Sequence, residues 1–300
     1  MLLSNKLIYG NRLRCGSEEV ARQSLVLPNR SFLQKMHTGS QSCSGEDCWI
    51  EKLMAERYCV ISPRFYDELA ADNDIVSSCK AVFVDTDLVP CRDSRVGDLV
   101  QNEGEATIVY QITETLIRCG IEPSQLGIIS LYRQQNKLLS QKLKSHSGIE
   151  ILTADKSQGR DKDCIIISLV RSNETGNVGD LVKDWRRMNV SFTRARSKVI
   201  IIGSRKTLKG AELLREFFGL MEEQKWILQL PAGADVAHSE VFVQLPASPG
   251  VKRNAGDCDG VRKENDLGGS PRPHKKQKKA DADALLRGRP ILQDLVNDTK

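Results

Sequence analysis

Three polar segments interrupt the apolar middle of this 300-residue sequence, and their side chains are types that bind phosphate. Tyr132-Arg133-Gln134-Gln135 puts an aromatic ring, a cation and two amides at the start of a predicted helix, where backbone N–H groups also attract anions. The same residues also suit a simply solvated helix start. Thr153 to Asp163 is a run of eleven residues in which Ser157, Gln158, Arg160 and Gly159 combine polar side chains with a backbone free to turn, a pattern suited to phosphate and sugar contacts. An ordinary turn is the other reading. Trp185 to Arg196 carries Arg186, Arg187, Arg194 and Arg196 within twelve residues. Guanidinium groups stay protonated and offer a planar fork of donors to charge on a phosphoryl group, although a solvated basic helix face has the same composition.

The elements that must position these side chains follow from periodicity. Continuous apolar runs at Ala81–Asp85, Leu126–Leu131, Ile149–Leu152, Cys164–Val170 and Lys198–Ile202 predict strands buried on both faces of a parallel sheet. Helical spacing predicts crossovers over Glu103–Cys119, stopped by Gly120, and over Gln134–Lys144, Asp180–Arg196 and Gly210–Trp226. The expected fold is α/β, doubly wound, with each polar segment where a strand ends and parallel sheets present ligands. In the third segment Arg187 and Arg194 are expected on one helix face, seven residues being about two turns. The expected organisation is a lead-in with short helices over 1–79, the α/β domain over 80–230, and a disordered basic tail over 231–300.

Composition narrows the class. Forty per cent of residues are hydrophobic and 28% charged, as in a soluble domain with a sizeable core. The net charge of +5 is uneven, because Ala247–Lys300 holds twelve basic and eight acidic residues, so any nucleic-acid surface on the core must be local. Nine cysteines without an apolar leader read as reduced thiols. Cys43 and Cys48 are followed by no second Cys/His pair at zinc spacing, so no metal site is expected. No apolar run approaches the ~18 residues of a membrane span, so no membrane partner is expected. The basic run Lys275-Lys276-Gln277-Lys278-Lys279 reads as a nuclear import signal, a nonspecific nucleic-acid tether or a solvated tail.

Together the segments resemble motifs IV, V and VI of superfamily 1 helicases, in the subgroup of the nonsense-decay RNA helicases and the replication helicase-nucleases. Asn102-Glu103-Gly104-Glu105-Ala106 is similar to that family's Asn-x-x-Glu-Ala helix start, Gln158-Gly159-Arg160-Asp161 to its Gln-Gly-x-Glu signature, and Thr193-Arg194-Ala195-Arg196 to its motif VI. Leu3-Ser4-Asn5-Lys6-Leu7 and Lys183-Asp184-Trp185-Arg186-Arg187 look closest to the eukaryotic replication helicase-nucleases and extend the resemblance over roughly residues 2–230. Asp161 departs from the commoner Glu, keeping the charge with less reach.

The resemblance implies a second RecA-like motor domain. Arg194 would be the arginine finger; Arg133, Gln158, Gly159, Asp161 and Arg187 would lie near the nucleotide, and Thr153, Ser157, Arg160 and Arg196 along single-stranded DNA. The sequence contains neither a Gly-x-x-x-x-Gly-Lys-Ser/Thr loop nor a strand-end Asp-Glu pair, so ATP and Mg2+ are expected only in a complete helicase that supplies the first motor domain. The chain itself is expected to be a truncated, catalytically incomplete piece of an ATP-dependent DNA helicase-nuclease of the nucleus. An RNA helicase of the nonsense-decay type and a noncatalytic nucleic-acid-binding remnant are the alternatives.

Overall fold

The computed structural model describes residues 80–242 continuously and, before them, 2–7, 9–10, 12, 17, 23–37, 43, 45 and 47–55. The chain divides into two units, Met1–Pro246 and Ala247–Lys300, and every described residue belongs to the first. The run Lys275–Lys279 and the rest of the expected tail beyond Phe242 lie outside the described residues.

The apolar runs form strands where periodicity predicts them. Helices α1 (Leu2–Leu7), α2 (Ser31–Lys35) and α3 (Trp49–Met54) precede strand β1 (Ala81–Asp85). A short hairpin, β2 (Ser94–Val96) and β3 (Leu99–Gln101), leads into α4 (Glu103–Arg118) and β4 (Leu126–Ser130). Then come α5 (Arg133–Lys142), β5 (Glu150–Leu152), a 3-10 turn (Ala154–Lys156) and β6 (Lys162–Ser168). Helices α6 (Asp180–Lys183) and α7 (Trp185–Phe192) lead to β7 (Ala195–Gly203), and α8 (Arg205–Leu208), α9 (Glu212–Glu223) and β8 (Ile227–Gln229) complete the order.

Six strands form one sheet in the order β5-β4-β6-β7-β1-β8, and every pairing is parallel. All five residues of β1 and of β4 are buried, as strands covered on both faces require. One face packs Val82, Val84, Ile128, Ile166, Ile200 and Ile202 against α4, α5 and the lead-in. The other packs Phe83, Ile129, Ile165, Ile167 and Ile201 against α7 and α9, where Phe83 meets Phe218 edge-on at 4.8 Å.

Several expectations are corrected. The helix predicted over Asp180–Arg196 is two helices ending at Phe192. The Asp184 side chain accepts from Arg186 N at 3.0 Å and restarts the chain as α7, while the Thr193 hydroxyl donates to Asn189 O at 2.9 Å near its end. Arg194 therefore sits in the turn before β7, so the helical-face argument linking it to Arg187 fails. The lead-in is less loose than its weak periodicity predicts, because Leu25, Leu27, Trp49, Ile50, Leu53 and Met54 are buried in the core. The regular packing also continues past Leu230. Ala234, His238 and Phe242 are buried, and the Trp49 indole donates to Ala234 O at 3.2 Å. A Gly/Ala-rich turn carries no periodicity, yet three well-spaced apolar or aromatic contacts are enough to dock it.

No second Cys/His pair follows Cys43 and Cys48 at zinc spacing, yet two histidines lie beside them in the fold. His37 stands just before them in sequence, and the turn at 231–242 delivers His238. The four side chains place ligand atoms within 4.8 Å of one another.

Candidate nucleotide and nucleic-acid site

Arg194 makes more side-chain hydrogen bonds than any other cation of the predicted set. Its Nη1 lies 2.8 Å from Asp161 Oδ1, its Nε donates to Val190 O at 3.1 Å, and its Nη2 donates to Thr193 Oγ1 at 3.2 Å. Three of its donors are thus directed by the end of α7 and by the loop before β6. The Arg194 side chain is 17% exposed and that of Asp161 47%, so the guanidinium is presented from a largely covered stem.

Both residues precede strands. Lys162 N donates to Arg194 O at 3.0 Å, and Lys162 pairs with Ala195, so the Asp161–Arg194 pair lies at the amino ends of β6 and β7. Arg133 and Thr153 instead follow the carboxyl ends of β4 and β5. The expectation that all three segments gather at strand carboxyl ends is therefore corrected. In crossing from β5 to β6, the polar loop must return along the sheet from one end to the other, and it carries its residues with it. Arg187 lies along this path, 3.2 Å from Asp155 and 3.8 Å from Asp184. No contact among the described residues joins Arg133 to Arg187 or Arg194.

Arg133 is the first residue of α5, exposed, and without a side-chain partner among the described residues. The loop after β5 is shaped from inside. Ser157 is buried, its hydroxyl donating to Ala154 O at 2.8 Å, so it holds the turn and does not face solvent. Thr153 caps the 3-10 turn through its backbone carbonyl, half-buried. Gln158 is exposed, and Gly159 adopts φ 77°, the left-handed region that favours glycine. Arg160 and Arg196 are exposed and only loosely paired, at 3.7 Å from Glu150 and 3.8 Å from Asp163. Lys162 is tied more firmly, 2.9 Å from both Glu150 and Ser124 O. Three carboxylates thus stand against four cations at this end, so a phosphate ligand gains most from Arg160 and Arg196, whose pairings are weakest.

Sequence reasoning noted Asn102 and Glu105 only as a resemblance and missed Gln135 and Ser168 as a unit. Asn102 caps α4 by accepting from Glu105 N at 2.9 Å, and its amide donates to Cys91 O and Val170 O, both at 2.9 Å. Glu105, fully buried, accepts from the Ser168 hydroxyl at 2.7 Å and from Val170 N at 3.0 Å. Gln135 accepts from Asn102 N at 2.8 Å and donates to Asn102 O and Ser168 Oγ. This network grips Val170, a β-branched residue at φ 71°, a conformation costing on the order of 1–3 kcal/mol that the surrounding hydrogen bonds must hold. Burial pushes the Glu105 carboxyl up to about 7 despite these donors. The network anchors α5 two residues after Arg133, and so fixes where that cation is presented.

A six-stranded all-parallel sheet with helices on both faces, and arginines presented from its crossover loops, defines an α/β domain of RecA-like type. A family model described as an AAA domain matches residues 1–206, and the chain belongs to that family, of superfamily 1 helicase type. The chain is 36% identical over 228 residues to "DNA replication ATP-dependent helicase/nuclease dna2" of Schizosaccharomyces pombe, covering 76% of this chain and 14% of that protein. It is 38% identical over 234 residues to the DNA2 protein of the same description in Mus musculus, covering 77% of this chain and 20% of the relative. For the Homo sapiens DNA2 the figures are 35% over 235 residues, 77% and 20%. The chain therefore spans a fifth or less of the length of these relatives.

Proposed function

We propose that this chain is the second motor domain of an ATP-dependent DNA helicase-nuclease acting in DNA replication and repair in the nucleus, and that it supplies the arginine finger and part of the single-stranded DNA track. The observation that carries the reading is the Arg194–Asp161 pair, which presents a guanidinium from a covered stem beside the turn at Gly159. The names of the relatives support DNA over RNA as the nucleic acid.

The residues present fit the phosphates of ATP and do not fit its magnesium. Arg194, oriented by Asp161, would meet phosphate oxygens beside Gln158 and Gly159, while Arg133, exposed at a helix start at the opposite strand ends, and Arg187, held by Asp155 and Asp184, are assigned to further phosphate contacts. No residues here are assigned to Mg2+, which with the phosphate-cradling loop is assigned to the other motor domain, the partner this reading requires. ATP, when bound between two such domains, supplies the free energy of strand separation. This chain's part is to stabilise charge on the transferring phosphoryl group through Arg194, a contribution worth roughly 10³ to 10⁵ in turnover where the site is complete. Thr153, Arg160 and Arg196 are assigned to the DNA backbone, with Ser157 shaping the loop that carries them. The basic run Lys275–Lys279 is assigned to nuclear import.

The test is ATP-driven unwinding of DNA and RNA duplexes by a protein that joins this chain to its phosphate-loop domain, with and without Arg194→Ala. DNA unwinding that collapses in the variant supports the reading. Turnover that survives the substitution rules out Arg194 as the finger, and preference for an RNA duplex transfers the domain to RNA.

A further inference from the structure

We propose that His37, Cys43, Cys48 and His238 form a structural zinc site that fastens the N-terminal lead-in to the segment after the last strand. The four side chains bring two thiols and two imidazoles within 4.8 Å of one another. Zinc in closed structural sites takes four such ligands, tetrahedrally, at about 2.0–2.3 Å, which sets ligand atoms about 3.3–3.8 Å apart. The cluster therefore needs to contract by about 1 Å to hold the ion. Cys48 Sγ already lies 3.4 Å from His238 Nε2.

The surroundings are those of a ligand set and not of a packed apolar corner. His37 Nδ1, His37 Nε2 and His238 Nδ1 are all buried without a hydrogen-bond partner among the described residues, a costly state for polar atoms with no further role. Glu51 Oε1 lies 3.2 Å from His37 Nε2, outside hydrogen-bonding geometry in this arrangement. A small ring rotation would make it the carboxylate partner that orients a metal-bound imidazole. Trp49 and Phe242 pack edge-on against the His238 ring at 6.2 and 6.4 Å, covering that side of the site.

Two thiolates with two imidazoles in a closed tetrahedral arrangement select zinc over the harder magnesium and calcium ions. Binding at neutral pH converts the two thiols to thiolates and releases two protons for each Zn2+ taken up. The physical consequence is a cross-link. Cys48 and His238 are 190 residues apart, so the ion closes a loop around the whole sheet and adds stability by restricting the unfolded chain.

The experiment is metal analysis of the full chain purified under reducing conditions without metal-affinity steps. One zinc per chain is expected, with removal by a chelator lowering the thermal midpoint and Zn2+ but not Mg2+ restoring it. Cys48→Ser and His238→Ala should each lose the zinc, while His146→Gln, a histidine paired with Glu114 elsewhere, should keep it. Should the ligand variants fail to fold, Co2+ substituted into the unmodified chain decides the matter. Tetrahedral cobalt bands together with charge transfer from two thiolates support the site, and an octahedral spectrum overturns it. Substoichiometric zinc after reconstitution, zinc retained by both ligand variants, or a Cys43–Cys48 disulfide that excludes zinc under reducing conditions would each overturn it too.

Discussion

Arg194 and Asp161 meet at 2.8 Å where the chain enters the two central strands, and under the proposed function this pair sets where phosphate would be met. Because Asp161 is about half exposed, the pair contributes little to folding, about 0–1 kcal/mol. Its consequence is positional. In a complete motor, Arg194→Ala is expected to lower ATP turnover by about 10³-fold or more while shifting the thermal midpoint by no more than about 2–4 °C. Asp161→Ala should lower turnover less, since the finger is retained but loses one of its guides. Steady-state ATPase rates beside melting curves check both, and equal losses of stability and turnover would mean the pair is only structural.

Arg160 and Arg196 are exposed cations with long, weak pairings, so their effect should appear in the salt dependence of DNA binding. Each substitution to Ala is expected to reduce the slope of log affinity against log salt by about 0.7 for single-stranded DNA, with little change among sequences. Titrations at several salt concentrations measure this. Unchanged slopes in both variants would remove these arginines from the DNA track.

Glu105 gives a pH dependence of defined sign. Its folded pKa of about 7 lies above the ordinary 4.5, so the folded state holds the proton more tightly. The stability this confers is fully present below pH 4.5 and is lost as pH rises through 7. The size is on the order of 3 kcal/mol for the whole shift. Asp85, raised by burial to about 6, acts in the same direction. Denaturation midpoints of the unmodified chain and of Glu105→Gln, compared at pH 6 and pH 8, isolate the Glu105 part. The unmodified chain should weaken more on going to pH 8, and parallel behaviour of the two proteins would contradict this account.

The segment after Leu230 is part of the folded unit. Ending the chain there removes buried Ala234, His238 and Phe242 and strips the Trp49 indole, the Gln111 amide and Arg118 of carbonyl acceptors at Ala234, Asp235 and Val241. The expected cost is on the order of 3–5 kcal/mol, from the lost phenylalanine burial and the unpaired indole. A calorimetric midpoint unchanged by the truncation would show that the turn merely rests on the surface.

The sequence made the sheet legible because its information is local. Five residues from Ala81 to Asp85, all apolar but the last, have few alternatives to a buried strand, and the strand forms over those residues. The same holds for α4, where Asn102 signals the start and Gly120 the stop. Where competing local signals overlap, the reading failed. Asp180–Arg196 reads as one long helix, yet Asp184 restarts it and the turn at Thr193 and Arg194 ends it before β7.

The sequence by itself determined which residues are buried in strands, which crossover loops are polar and which cations those loops carry, because side-chain period and turn chemistry act over a few residues. Only the tertiary structure decided that Arg194 faces Asp161 across neighbouring strands, that Glu105, Gln135 and Ser168 together hold the strained Val170, and that His238 arrives beside Cys48. Those contacts join positions 33, 33, 63 and 190 residues apart. The first two sets require the strand order β5-β4-β6-β7, and the last requires the lead-in and the turn after β8 to meet; neither is set by interactions within a short stretch of chain.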